Sequence, residues 1–128
     1  MNRFKKKPLP ISGLIEIQQI PIIDNRGFFS RVFSVDEFIE FGFTNKITQI
    51  NHSFTKEEGS IRGMHFQHQP VSETKFVTCL KGSVYDVAVD IREDSPTFLK
   101  WNAVILSAKL HNSIMIPKGF AHGFQTLV

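Results

Sequence analysis

One cysteine, one tryptophan and one tyrosine are all that 128 residues hold of those three types. A lone thiol, Cys79, excludes an intrachain disulfide. Its place within Phe76 to Leu80 predicts a buried, inert side chain rather than a nucleophile. No apolar run approaches the ~20 residues that a membrane-spanning helix needs, so no membrane partner is expected. Met1 to Lys7 carries the charge of a signal-peptide start, but Pro8, Pro10, Glu16 and Gln18 interrupt any apolar region behind it. Charge of one sign is also scarce: the net balance is only +3. Arg3, Lys5, Lys6 and Lys7 supply much of it, and four tail charges predict a frayed, solvated N-terminus rather than a nucleic-acid footprint. What remains is a cytoplasmic globular domain with a mild preference for anionic small molecules.

Ordinary globular composition is present, with 41% hydrophobic and 21% charged residues, and the length suits a single domain. Thirteen phenylalanines predict an interior rich in rings. The single good helix signal is Ser34-Val-Asp-Glu37, a capping box, which places a short helix over Val35 to Phe41 ending at Gly42. Everything else reads as strand and turn. Strands are expected over Leu14 to Ile23, Phe28 to Phe33, Lys46 to Phe54, Ile61 to Phe66 and Thr74 to Leu80. Further strands are expected over Ser83 to Ile91, Phe98 to Leu106, Asn112 to Ile116 and Ala121 to Val128. Turn chemistry separates them, as at Asp24-Asn-Arg-Gly27, Lys81-Gly82 and Pro117-Lys-Gly119. Many short strands with regular turns predict an all-β sandwich or barrel of the jelly-roll kind.

Three of these strands alternate in an informative way. Gln49, Asn51 and Ser53 share a face opposite Ile50, His65 and Gln67 share one opposite Met64 and Phe66, and Lys75 opens the third run. Polar groups facing into an apolar fold are costly unless satisfied, which points to a polar pocket. Arg62 precedes His65 by three positions, so strict alternation separates them; Gly63 permits a bulge that reunites them. If the polar faces line the interior, Ile50, Met64, Phe66 and Phe76 face outward, and a second subunit is their expected cover.

The pocket groups argue against a metal. His65, Gln67, Lys75 and His122 stand where a jelly roll would carry its ligands, but Gln binds weakly and a protonated Lys repels a cation. An organic anion suits them better: an imidazole removes a proton α to a carbonyl while an ammonium holds the enolate oxygen. His65 would be the base and Lys75 the stabiliser. His122, just past a Pro/Gly turn, reads equally as a ligand contact or a structural hydrogen bond. Arg26 follows a turn and can grip phosphate, and Phe28 and Phe29 offer rings for a base. His52, His68 and His111 read as surface or loop residues.

Several motifs, in order along the chain, resemble the dTDP-4-dehydrorhamnose 3,5-epimerases. They are Asp24-x-Arg-Gly-Phe-Phe29, Gln49-x-Asn51-x-Ser53, Arg62-Gly-x-His-x-Gln67, Lys75, Gly82-x-Val-x-Asp-Val87, Asp90-x-Arg92, Ser95-Pro-Thr-Phe98-x-x-Trp101 and Ile116-Pro-x-Gly-Phe-Ala-His-Gly-Phe124. The resemblance implies a cupin-like jelly-roll barrel without metal or cofactor, acting as a homodimer on a nucleotide-linked 4-keto-6-deoxyhexose. It further implies His65 as proton acceptor and Lys75 on the keto oxygen. Gln49, Asn51, Arg62 and Arg26 would meet the nucleotide and diphosphate, with His122 near the sugar. Two departures stand out. Arg31 occupies the position where the family usually has a base-contacting Glu, a charge reversal that admits another nucleotide. The family chain also continues, to a proton-donor Tyr and an Asp that orients the catalytic His, whereas this sequence stops at Val128; Tyr85 falls at a packing position and does not replace that Tyr. The expectation is a nucleotide-sugar epimerase of deoxysugar and surface-polysaccharide biosynthesis, without the family's C-terminal part. A catalytically silent binder of nucleotide sugars or a protein, and a keto-isomerase of the same fold, stand as alternatives.

Overall fold

A computed structural model describes residues 3–44, 46–67 and 73–127; the expectation for His68 lies outside them. Ten strands and one helix form among the described residues: β1 (Phe4–Pro8), β2 (Ile15–Gln19), β3 (Ile22–Asp24), β4 (Gly27–Phe29), α1 (Val35–Ile39), β5 (Ile61–His65), β6 (Lys75–Thr78), β7 (Ser83–Asp90), β8 (Trp101–Ser107), β9 (Asn112–Ile116) and β10 (Phe120–Thr126). Two antiparallel four-stranded sheets, ordered β1-β2-β9-β6 and β5-β10-β7-β8, make the sandwich, and β3 and β4 form a separate hairpin. The architecture is the expected all-β, cupin-like jelly roll.

The alternation read from the sequence builds the core. Ile114 and Ile116 of the first sheet meet Ala88, Leu106 and Phe120 of the second, and Ile11 and Leu14 close the layer between them. The opposite face of the first sheet carries a second apolar cluster of Phe4, Ile15, Ile17 and Met115, over which α1 lays Phe38. Phe38 is fully enclosed, with ring centroids of Phe4, Phe33 and Phe76 at 4.7, 4.8 and 5.2 Å. Phe76 therefore packs within its own chain instead of facing out. The capping box forms as expected: Ser34 Oγ accepts from the Glu37 amide at 3.3 Å.

Several boundaries differ from expectation. Leu14 to Ile23 divides into β2 and β3, and the strand expected over Phe28 to Phe33 ends at Phe29. The helix closes at Ile39 rather than Phe41, because the Gly42 amide turns back to the Ile39 carbonyl. β8 begins at Trp101, not Phe98, since residues 95–100 are drawn into turns bonded to the Asp90 region. The tail expected to fray is instead strand β1, paired along its length with β2 while its lysines stay in solvent. Residues 46–54 are not a strand: they are exposed and make no ladder with the other described residues.

Candidate functional site

β5 is displaced by a bulge that the glycine anticipates. His65 faces His122 across the β5–β10 ladder, yet Arg62 faces Phe124, so three steps on β5 match two on β10. The extra residue restores Arg62 and His65 to one face. Gly63 takes φ +115°, and its Cα is so close to β10 that a Cβ there would lie 2.6 Å from Gly123 Cα. Only a residue without a side chain fits such an approach.

His122 also faces Ala88, a core residue, so His65 and His122 both sit on the face turned toward the first sheet. Lys75 answers from the other side. It pairs with Ile116 on β9, whose side chain is in the same core, while Phe76 points to the opposite face. His65, Phe66, Gln67, Glu73, Lys75, Gly119 and Phe120 enclose one cavity of about 220 Å³. Lys75 is mostly enclosed, and its Nζ is 4.0 Å from Glu73 Oε1. The imidazole and the ammonium thus reach a common space from opposing sheets.

Behind the cavity lies a buried acid. His122 Nε2 is 2.8 Å from Asp86 Oδ2, and Asp86 is fully enclosed on β7. Burial pushes the Asp86 carboxyl above the ordinary carboxylate range, although the His122 bond and the nearby Lys75 ammonium pull the other way. Asp86 was not among the candidate residues. Its signal is the clean alternation of β7, which sets Asp86 and Asp90 on the same face as Val84 and Ala88. An acid on a core-facing stripe needs a partner, and each of these two has one.

Asp90 is the second acid. The Arg92 guanidinium donates to it twice at 2.9 Å, and the hydroxyls of Ser95 and Thr97 donate as well. Burial acts to raise its pKa, but these donors together hold the carboxyl far below the usual range. Arg92 in turn lies over the Phe120 ring, 4.8 Å from its centroid, and donates to the Ser12 carbonyl. The Asp90-x-Arg92 motif therefore braces the Gly119–Phe120 wall of the cavity.

The remaining candidates are not gathered at the cavity. Arg26 and Phe29 stand on the β3–β4 hairpin, exposed, with Arg26 bonded to Asp24 at 2.7 Å. Gln49 and Asn51 lie on the exposed 46–54 segment, where Arg62 Nη2 donates to the Phe54 carbonyl at 3.5 Å. Arg31 pairs with Glu37 at 3.2 Å, on the helix that the Phe cluster holds down. His52 is exposed, but His111 is half-buried against the Phe28 ring, 4.6 Å between centroids. Cys79 is half-buried rather than buried, its Sγ donating to the Lys81 carbonyl.

Residues 8–128 match the family profile of dTDP-4-dehydrorhamnose 3,5-epimerase. Curated relatives bearing that name include one from Mycobacterium tuberculosis, 40% identical over 97% of this chain and 61% of its own length. Another, from Shigella flexneri, is 48% identical over 81% of this chain and 58% of its own. The chain spans about three fifths of the length of these relatives. Among solved structures, the Bacillus anthracis epimerase with TDP and PPi bound superposes with a TM-score of 0.94 at 41% identity, covering 98% of this chain and 71% of that one. The Legionella pneumophila epimerase in complex with dTDP-4-keto-L-rhamnose gives 0.90 at 42% identity, covering 97% and 65%. Backbone, motif order and identity agree over nearly every described residue, and the chain belongs to the dTDP-4-dehydrorhamnose 3,5-epimerase family.

Proposed function

We propose that the chain carries the proton-abstracting half of a nucleotide-sugar epimerase site. The observation behind this is the meeting of His65 and Lys75 in one cavity from opposing sheets. His65 takes a proton from a carbon flanking the keto group of a dTDP-linked 4-keto-6-deoxyhexose. The pair of electrons left behind moves onto the keto oxygen, where the Lys75 ammonium stabilises it. Return of a proton to the opposite face inverts the carbon. The substrate class follows from family membership and from relatives that hold TDP or dTDP-4-keto-L-rhamnose. Such a reaction serves deoxysugar and surface-polysaccharide biosynthesis in the cytoplasm.

The active form in this reading is a homodimer. The outer face of the second sheet aligns Ile61, Tyr85, Ile105 and Trp101 in solvent, with Trp101 60% exposed. Residues 46–54 keep a strand's alternation but find no ladder, and Ile50 is 87% exposed. A second copy supplies the cover for both. It also gives the displaced groups a place: Gln49, Asn51, Arg26 and Phe29 meet the nucleotide and diphosphate across the dimer, beside Arg62, while His122 serves the sugar. Arg31 stands where the family usually carries a carboxylate, a charge reversal that admits a nucleotide other than thymidine.

Incubation with dTDP-4-keto-6-deoxyglucose in D2O tests the chemistry. Deuterium enters both carbons flanking the keto group, and His65→Ala abolishes the label. Retained dTDP binding without any label in the native chain would overturn the enzymatic reading in favour of a silent binder.

A further inference from the structure

Asp86 takes no part in the chemistry above, yet it is fully enclosed. It faces Phe124 across the β7–β10 ladder, with His122 two residues away on the same face. One carboxylate oxygen meets His122 Nε2; the other, Oδ1, is buried with no hydrogen-bond partner. Enclosing a carboxylate so incompletely satisfied costs stability, and an apolar residue would pack there more cheaply. A structural role alone does not account for an acid at this position.

A neutral imidazole carries one ring proton, and the hydrogen bond at one nitrogen decides the character of the other. An ionised Asp86 can only accept, so Nε2 must hold the proton and Nδ1 is left with a lone pair. Burial raises the Asp86 pKa, and the His122 hydrogen bond and the Lys75 ammonium act against it in favour of the ionised acid. The charged or titratable groups turned toward this pair are Lys75 from β6 and His65 from β5, with Glu73 beside Lys75.

We infer that Asp86 is a positioning residue that fixes His122 as its Nε2–H tautomer, so that Nδ1 accepts a hydrogen bond from the sugar hydroxyl next to the keto carbon. The inference rests on the nucleotide-sugar reading for its ligand, but not for its tautomer. In a 4-keto-6-deoxyhexose the hydroxyl in question is on carbon 3, since carbon 5 bears none. The pair thereby reads one flank of the carbonyl and registers the sugar against His65 and Lys75.

Long-range proton–nitrogen correlation spectra of the 15N-labelled chain at neutral pH test this, with His122→Gln assigning the ring signals by their loss. A pyrrole-type Nε2 and a pyridine-type Nδ1 are expected for His122. Asp86→Asn, whose amide can donate as well as accept, should yield a mixture of tautomers. It should also raise KM about tenfold for deuterium exchange, with little change in kcat. A native ring protonated at Nδ1, or an Asp86→Asn variant with unchanged tautomer and KM, overturns the inference. The ring measurement needs no substrate, so it stands or falls apart from the exchange experiment on His65.

Discussion

Gly63 and Gly123 lie back to back across β5 and β10, with room for neither to carry a side chain. A Cβ on Gly63 would approach Gly123 Cα to 2.6 Å, and one on Gly123 would lie 2.8 Å from the Arg62 carbonyl oxygen. This contact is what holds the bulge, and the bulge is what turns Arg62 and His65 to the same face. Gly63→Ala adds a backbone clash to a left-handed φ and is expected to destabilise the fold by about 3 kcal/mol. Denaturant unfolding measures it; a loss below about 1 kcal/mol would show that the two strands part easily.

In the proposed reaction Lys75 acts through its charge. Lys75→Met keeps the length of the side chain and removes the ammonium, so deuterium exchange should fall about 10²–10³-fold. Binding of dTDP, measured by calorimetry, should survive. Equal loss of both would instead place Lys75 on the nucleotide.

Asp90 ties stability to pH in a definite direction. Its folded pKa lies below the ordinary 3.8, so its contribution is complete above that value and fades as the pH drops beneath it. Asp90→Asn should therefore be less stable than the native chain by about 2–3 kcal/mol at pH 7. The gap should stay level down to about pH 4 and narrow below it. Paired melts at pH 7, 5 and 3 decide this, and a gap that widens in acid would contradict the sign.

Trp101 tests the proposed dimer. Sedimentation of the native chain should give twice 14.6 kDa. Trp101→Glu, which sets a charge on the apolar outer face, should weaken association at least about a hundredfold. A native monomer with no dependence on concentration would remove the dimer.

The sequence made the interior strands legible because their periodicity and their burial have the same cause. β7 alternates in residue type and alternates in exposure along Ser83–Asp90. Gly63 revealed the bulge, since a glycine within a strand marks close backbone approach. β1 was illegible because Lys5, Lys6 and Lys7 look like a solvated tail, and they are solvated; only Phe4 goes inside. Residues 46–54 misled in the other direction. Their alternation is real, but a strand exists only where a neighbour completes its hydrogen bonds, and no described strand lies beside them. The sequence gives no sign of the Asp86–His122 pair, because the two are 36 residues apart and meet only through a diagonal in the ladder.

The ring of Phe38 has a reach beyond the cluster it fills. A helix of five residues has too few internal bonds to persist in water on its own. Its hold on the sheet is this one phenyl group, moored among Phe4, Phe33 and Phe76. Phe43, four residues beyond the end of the helix, is buried in the same cluster. The helix is thus held by apolar contacts on the face of the first sheet turned away from the second. Phe38→Ala would therefore loosen the helix from the sheet while leaving the layer between the two sheets in place.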